Sequence, residues 1–362
     1  ILMKIRDRYI AKTLLSYTII VLVVWTSVYS FFNFLAELNS VGKESYTILS
    51  AFIYIILQLP EVLYKQASPI ILLGCILGMG HLATTGQLLI FRVAGSSIIK
   101  ITLLVLKNSL IFVLFFICIG EFIAPISSSF SESSRSKAIE NSSASINQNG
   151  FWIRDGDNFI NVKRNIDGKL FSGITVIEVN SSNKIERVIK SENAIFDGDS
   201  LNMSSSEIFS VDESSFFDNI SLKERNSYNK TVSFDQDLVK SLEKEPRDLS
   251  TSTLIKQIRF LSDNKLRSGV FEVELYKRLI QPVTLIAMIL LAMLFIFGST
   301  RDVTLGRKIF FGVVLGLSFE MFSRVASAMA LSFDFSPLLS TMVPSVLVMI
   351  IAITLLIQKS YR

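Results

Sequence analysis

Histidine and cysteine are almost absent from this sequence, and their scarcity excludes several kinds of chemistry. The 362 residues include one histidine, His81, and two cysteines, Cys75 and Cys118, all within long apolar runs. A single histidine excludes most catalytic schemes that depend on histidine, and the two cysteines support neither a disulfide framework nor a metal site. We therefore expect reduced cysteines in the protein core and no bound metal.

Motifs for nucleotide binding and hydrolysis are also missing. The stretch GSTRDVTLGRK lacks the spacing of a phosphate-binding G-x-x-x-x-G-K-[ST] loop, and no H-E-x-x-H or G-x-S-x-G sequence is present. We therefore expect no catalytic residue, no cofactor and no ATP bound by this chain itself. A membrane-embedded enzyme is an alternative that the sequence disfavours.

Long apolar runs are abundant instead. Half of the residues are hydrophobic and the mean hydropathy is +0.49, which is typical of a membrane protein rather than a soluble domain. A helix needs roughly 20 mostly apolar residues to cross a bilayer. We predict an α-helical polytopic membrane protein with six transmembrane helices, at about 13–35, 53–82, 98–123, 279–297, 309–331 and 338–357.

The net charge of +5 does not indicate a nucleic-acid partner, because the basic residues flank the apolar runs. No small-residue cleavage site follows the first run, so we expect it to be a retained span and not a signal peptide. By the positive-inside rule, both termini are expected in the cytoplasm and the long segment 124–278 outside it. The basic residues on the cytoplasmic side are Lys4, Arg6, Arg8, Lys12, Arg92, Lys100, Arg301, Arg307, Lys308, Lys359 and Arg362.

Residues 139–235 alternate short β-rich runs with Asp-Gly turns at 155–156, 167–168 and 197–198. This spacing predicts an antiparallel sandwich or roll of about 110 residues. The stretch RDGDN at 154–158 is expected to be a hairpin turn and not a calcium loop, which needs further ligands. Leu254, Ile258 and Leu261 then share one face of a short amphipathic connector. The predicted domains are 1–124 with three spans, 125–268 with the β-domain and connector, and 269–362 with three spans.

Five stretches carry a family resemblance: LLGCILGMGHLA, GEFIAP, GFWIRDGDNFI, QPVTLIAMILLAMLFIFGSTRDVTLGRKIFFGVVLG and a late VPS. Their order and spacing resemble the lipopolysaccharide export permease family (LptF/LptG), and its LptG members more than its LptF members, over nearly the whole chain. The resemblance implies half of the permease of an ABC exporter in the inner membrane of a Gram-negative bacterium. Its partners would be LptF, an LptB ATPase dimer, LptC and the LptA bridge. Lipopolysaccharide would leave the periplasmic leaflet through a periplasmic β-jellyroll, with ATP hydrolysed by LptB.

The stretch from 84 to 95 matches the family's cytoplasmic coupling helix, which lies in a groove of the ATPase. A re-entrant or interfacial helix is the alternative. Gln87 stands where the family has an acidic residue, so the charge contact to the ATPase would be replaced by an amide hydrogen bond. The predicted coupling residues are Gln87, Leu88, Leu89, Phe91, Arg92 and Gly95.

Substrate phosphates require arginine or lysine near the membrane surface. Arg135 matches an arginine that the family uses near the exit into the jellyroll, while Glu132 replaces a second one. Arg278 matches a basic residue before the Gln-Pro pair. Cations that merely snorkel to the interface are the alternative. The predicted substrate-binding residues are Arg135, Lys137, Arg278, Arg324 and Lys43.

Glu320 and Arg324 are spaced i, i+4 inside the fifth span. Charges within a membrane are unfavourable, so they should face a partner or a cavity. A mutual structural pair and a role of Arg324 in the family's lateral gate both remain open.

A different class of function is an FtsX-like signalling or scaffold permease that moves no lipid. Members of that class have four spans and place their external domain after the first, whereas this chain places it after the third of six. The resemblance therefore favours lipid export.

Overall fold

The computed structural model describes residues 5–139, 151–166, 169–180, 184–211, 220–235, 238–239, 245–298, 305–333 and 335–360. The chain divides into two compact units. The first comprises residues up to Arg135 and from Glu272 onward, and we call it the membrane unit. The second comprises Ser136–Phe271 and contains the β-strands.

Helices dominate the membrane unit. Seven helical segments of the described residues are long and apolar enough to cross a membrane, so the polytopic helical architecture is confirmed. The helices are α1 Ile5–Glu37, α2 Ile48–Lys65, α3 Ala67–Thr84, α4 Gln87–Val93, α5 Ile98–Cys118, α6 Ala124–Ile139, α8 Gly269–Gly298, α9 Leu305–Ser332 and α10 Pro337–Ser360. The last turn of α6 and the first residues of α8 fall in the second unit, and α7 Thr251–Asp263 belongs to it entirely.

The interval predicted as one span at 53–82 is two helices, α2 and α3, and this part of the prediction is wrong in detail. The chain bends at Gln66, whose φ is −95° and ψ is 11°. Pro69 lies in the first turn of α3 and has no N–H to donate to the carbonyl of Lys65, which weakens the helical ladder at that point. Gln66 still donates its N–H to the carbonyl of Val62 at 2.9 Å.

The bend at Gln66 does not reverse the chain. Gly74 of α3 faces Thr18 of α1, and Phe52 of α2 contacts Phe34 of α1 with ring centroids 6.5 Å apart. Residues late in the α2–α3 path therefore contact residues early in α1, and residues early in that path contact residues late in α1. Both helices run antiparallel to α1 as one kinked path, so the split leaves the direction of every later span unchanged.

The third span continues well beyond the hydrocarbon thickness. Helix α5, a π-helical turn at Ile119–Ile123 and α6 form one continuous segment, Ile98–Ile139, of 42 residues. At about 1.5 Å per residue it is roughly 60 Å long, about twice the thickness of a bilayer core. Because α6 is rich in serine, this part of the segment suits water or a polar surface.

Cys118, expected in the core, is exposed, since α5 buries the opposite face around Phe112 and Phe116.

The second unit contains one antiparallel six-stranded sheet, which confirms the inserted β-domain. Neighbouring strands are consecutive in sequence throughout. The turns Asp155–Asn158 and Asp197–Ser200 join strands as hairpins, whereas Asp167 and Gly168 lie outside the described residues. The strands are β1 Phe151–Asp155, β2 Asn158–Ile166, β3 Leu170–Val179, β4 Ile185–Phe196, β5 Ser200–Val211 and β6 Ile220–Thr231.

The in-out alternation of side chains is broken in four strands at one level of the sheet. In each of them, two successive residues point away from the core, which interrupts the usual alternation of a strand. The positions are paired across the sheet, since Arg164 lies opposite Ser172 and Ser172 opposite Asn193. Aligned interruptions of this kind, at bulges and glycines, let a sheet curl. The pairs are Lys163–Arg164, Ser172–Gly173, Glu192–Asn193 and Ser204–Ser205.

Side-chain contacts close the curled sheet into a roll. Among the described residues β6 pairs through its backbone with β5 alone, yet Lys230 of β6 contacts Glu178 of β3 and donates to Asn158 Oδ1 of β2 at 2.9 Å. Tyr228 Oη, also on β6, donates to Glu178 Oε1 at 2.9 Å. These contacts cross the interior, so the predicted roll is confirmed and the described strands form no second sheet of a sandwich. We call this structure the roll.

The Glu178 carboxylate is buried at 9% exposure. Burial alone would raise its pKa, but hydrogen bonds from Lys230 and Tyr228 and the nearby charges of Lys230 and Arg187 hold the pKa of Glu178 below its ordinary value. The carboxylate therefore stays ionised inside the roll.

The rest of the roll's interior is apolar. Ile160, Val176 and Ile189 lie side by side on three strands and are fully buried. Phe234 links the sheet to α7, because its ring contacts Phe260 with centroids 6.4 Å apart. Helix α7 is the amphipathic connector that was predicted, capped by Ser250 and burying Leu254. A chain of ring contacts runs through Phe151, Phe171, Phe196, Phe234 and Phe260.

Candidate functional site

Arg135 joins the ends of three helices in the membrane unit. Its Nε donates to Glu37 Oε1, at the end of α1, at 2.6 Å. Its Nη2 donates to Ser40 Oγ at 3.4 Å, and its Nη1 lies 3.6 Å from Glu132 Oε1. The guanidinium also lies over the ring of Tyr54 on α2, 5.3 Å from its centroid. We call Arg135, Glu37, Ser40, Glu132 and Tyr54 the Arg135 cluster.

Two further tyrosine contacts support the Arg135 cluster. Tyr54 Oη donates to Glu132 Oε2 at 3.1 Å and accepts from Gln58 Nε2 at 2.6 Å. Tyr46, in the loop before α2, is buried beside Glu37. Burial and, after it, the Glu37 carboxylate raise the pKa of Tyr46 to about 12, so its hydroxyl stays protonated.

The Arg135 cluster contains two carboxylates around one guanidinium. The arginine predicted to meet substrate phosphate is therefore already paired inside the protein. Sequence reasoning missed Glu37 as its partner, because the two residues are 98 positions apart and no local pattern connects them.

The other predicted cations do not all join this site. Lys43 lies close to it, since its N–H donates to the carbonyl of Ser40 at 3.4 Å. Lys137 is an exposed residue of α6. Arg278 is on α8, with a side chain only 7% exposed and its Nε 3.4 Å from Glu274 Oε1.

Arg324 and Glu320 form an ion pair on α9, with Nε donating to Oε1 at 3.1 Å. The Arg324 side chain is 69% exposed and the Glu320 side chain 27%. The pair therefore lies on the outer surface of this single chain and not in its core. A charged pair in that position favours contact with a partner or a cavity over contact with lipid.

Helix α4 forms within the predicted segment 84–95. Gly86 before it and Gly95 after it have φ of +74° and +85°, a backbone conformation that favours glycine, so the sequence fixes where this helix begins and ends.

The two faces of α4 separate the predicted coupling residues. Leu88 is buried and Phe91 packs against the core of the membrane unit. Leu89, Ile90 and Val93 form the outer face and are 50%, 64% and 82% exposed. Phe91 is thus an inward residue and not an outer contact, since positions 88 and 91 fall on one side of a helix. Ile90 and Val93 take its place among the candidates.

Two more predicted residues lie on α4. Arg92 is exposed. The Oε1 atom of Gln87 is buried without a hydrogen-bond partner among the described residues. The contact predicted for the Gln87 amide stays a prediction.

Helices long and apolar enough to span a membrane, a short helix between two of them and an inserted β roll define a polytopic membrane protein with an inserted β-domain. The model of the family "Lipopolysaccharide export system permease LptF/LptG" matches residues 8–358. The chain belongs to this family, as its motifs indicated.

Two relatives illustrate the similarity. The "Lipopolysaccharide export system permease protein LptG" of Escherichia coli (strain K12) is 26% identical over 359 residues, which are 98% of each chain. The protein of the same description from Haemophilus influenzae is 28% identical over 354 residues, again 98% of each chain. The similarity thus extends over both units.

Proposed function

We propose that this chain is the LptG-type subunit of an ABC exporter that moves lipopolysaccharide out of the inner membrane of a Gram-negative bacterium. It pairs with LptF, and a dimer of LptB hydrolyses the ATP, so this chain is not itself an enzyme. Lipopolysaccharide leaves the periplasmic leaflet and passes through the roll and LptC toward LptA. The similarity to LptG proteins over 98% of the chain carries this proposal.

The outer surface of the membrane unit supports a partner subunit. Helix α1 exposes large apolar side chains along its length, among them Ile20, Val23 and Val24. Lipid alone could cover these. The exposed ion pair of α9 could not be covered so easily, because a charge at mid-membrane costs about 3 kcal/mol on insertion scales. This face of α9 therefore fits a second subunit or a polar cavity.

The outer face of α4 supports the coupling to the ATPase. Three neighbouring apolar side chains exposed on a helix of seven residues form a small apolar surface that a protein groove can cover. The partly exposed Gln87 side chain at the start of the helix adds a polar group to this surface.

The proposal is tested by purification and photocrosslinking in cells. The tagged chain should copurify with LptF and an ATPase. A photoreactive residue at Met203, inside the roll, should crosslink to lipopolysaccharide, whereas one at Trp152, which is 61% exposed, serves as the outer control. Copurified ATPase without any lipopolysaccharide crosslink at either position would favour the FtsX-like alternative instead.

A further inference from the structure

The two side chains of the Arg135–Glu37 contact differ in their exposure to solvent. The Arg135 side chain is 27% exposed, but the Glu37 side chain is only 13% exposed. Glu132 is 50% exposed and its contact is longer, at 3.6 Å against 2.6 Å for Glu37. Glu37 therefore forms the shorter and more buried of the two carboxylate contacts with Arg135.

A carboxylate and a phosphate bind arginine in the same way, because each offers paired oxygens to the planar fork of N–H donors. The three nitrogens of Arg135 already face Glu37, Ser40 and Glu132. A lipid phosphate can bind Arg135 with full geometry only by taking the place of a carboxylate.

We propose that Glu37 is an internal counter-ion for Arg135, which holds the arginine when no substrate is present and is displaced by the phosphate of an arriving lipid. This inference rests on the proposed function. Glu37 then determines how tightly a phosphorylated lipid is held. Its displacement also changes how two helices are held together. Because Glu37 ends α1 and Arg135 belongs to α6, loading with phosphate releases a tie between these two helices.

The test compares lipid binding to the complex with its partner subunits, purified in lipid nanodiscs. The probes are lipid A with two phosphates and the same lipid A after enzymatic removal of both. Glu37→Gln should raise retention of the phosphorylated lipid by roughly tenfold, within the range common for coupled sites, and leave the dephosphorylated lipid unchanged. Glu132→Gln is the matched control, and its longer contact should give a smaller increase.

A double-mutant cycle separates this proposal from a merely structural role of Glu37. In a background with Arg135→Gln, Glu37→Gln should no longer increase retention. If Glu37→Gln reduces folding, Glu37→Asp keeps the charge with a shorter reach and should give an intermediate increase.

The possible failures are distinguishable. Equal retention of phosphorylated lipid by the parent, Glu37→Gln and Glu37→Asp complexes would overturn the counter-ion role while leaving lipid export intact. Failure of the parent complex to retain either lipid A would overturn the proposed function itself.

Discussion

The close approach of α1 and α3 at Gly74 provides a stringent test of the membrane unit. A Cβ added at Gly74 would lie 2.5 Å from Thr18 Oγ1 and 2.9 Å from Thr18 Cα. The second atom is backbone and cannot rotate away. One turn further along α3, a Cβ at Gly78 would meet its nearest neighbour, Leu14, at 3.4 Å, which is an ordinary contact.

The expected magnitudes follow from two opposing effects. Alanine is favoured over glycine inside a helix by about 1 kcal/mol. Forcing an extra carbon into a packed contact costs about 1–3 kcal/mol. Gly78→Ala should therefore be neutral or slightly stabilising, and Gly74→Ala should be less stable than Gly78→Ala by about 1–3 kcal/mol.

Thermal unfolding of both variants in the same detergent, followed by loss of the monodisperse complex, measures this difference. The Gly74→Ala complex should lose its monodisperse state at a clearly lower temperature than the Gly78→Ala complex. Adding Thr18→Ala removes the hydroxyl but not the Cα, so it should restore only part of the loss. Equal unfolding temperatures for Gly74→Ala and Gly78→Ala would refute the helix contact described above.

Three further predictions concern the other sites. Val93→Asp should abolish copurification of the ATPase without reducing the folded yield. Phe91→Asp should reduce the folded yield, because Phe91 packs inward. If the two variants gave the same pull-down and the same yield, the assignment of the two faces of α4 would be wrong. The folded-state pKa of Glu178 is below its unfolded value, so its contribution to stability is present at neutral pH and is lost as pH falls through the folded value. Amide hydrogen exchange in the roll should therefore become faster as pH is lowered through that value, beyond the intrinsic effect of pH. Lys230→Met should weaken this pH dependence. Arg324→Glu should reduce the amount of LptF that copurifies while the chain still inserts, and an unchanged amount would mean that this face meets no partner.

The sequence was sufficient for the elements whose signal is local. Hydropathy located the spans, the Asp-Gly turns located hairpins, and Ser250 marked the start of α7. The break at Gln66 was missed because hydropathy is continuous there, although Pro69 carried the signal.

The faces of α4 could not be predicted for a different reason. Seven residues make only about two helical turns, and five of them are apolar, so the pattern does not indicate which side is buried. The side is set by packing of Leu88 and Phe91 against the membrane unit. Only the flanking glycines, Gly86 and Gly95, left a local signal for the length of the helix.

Polar contacts link distant segments in both units, and the nature of the substrate gives a reason. Acyl chains are about as apolar as leucine side chains, so apolar packing in a membrane has little preference for protein over lipid. An apolar contact between two segments would therefore be displaced equally well by any lipid. The pairs Arg135 with Glu37 and Lys230 with Glu178 are indifferent to acyl chains but sensitive to competing anions. Under the proposed function, a charged pair therefore lets the protein distinguish a phosphorylated substrate from the bulk lipid around it, which apolar packing alone could not do.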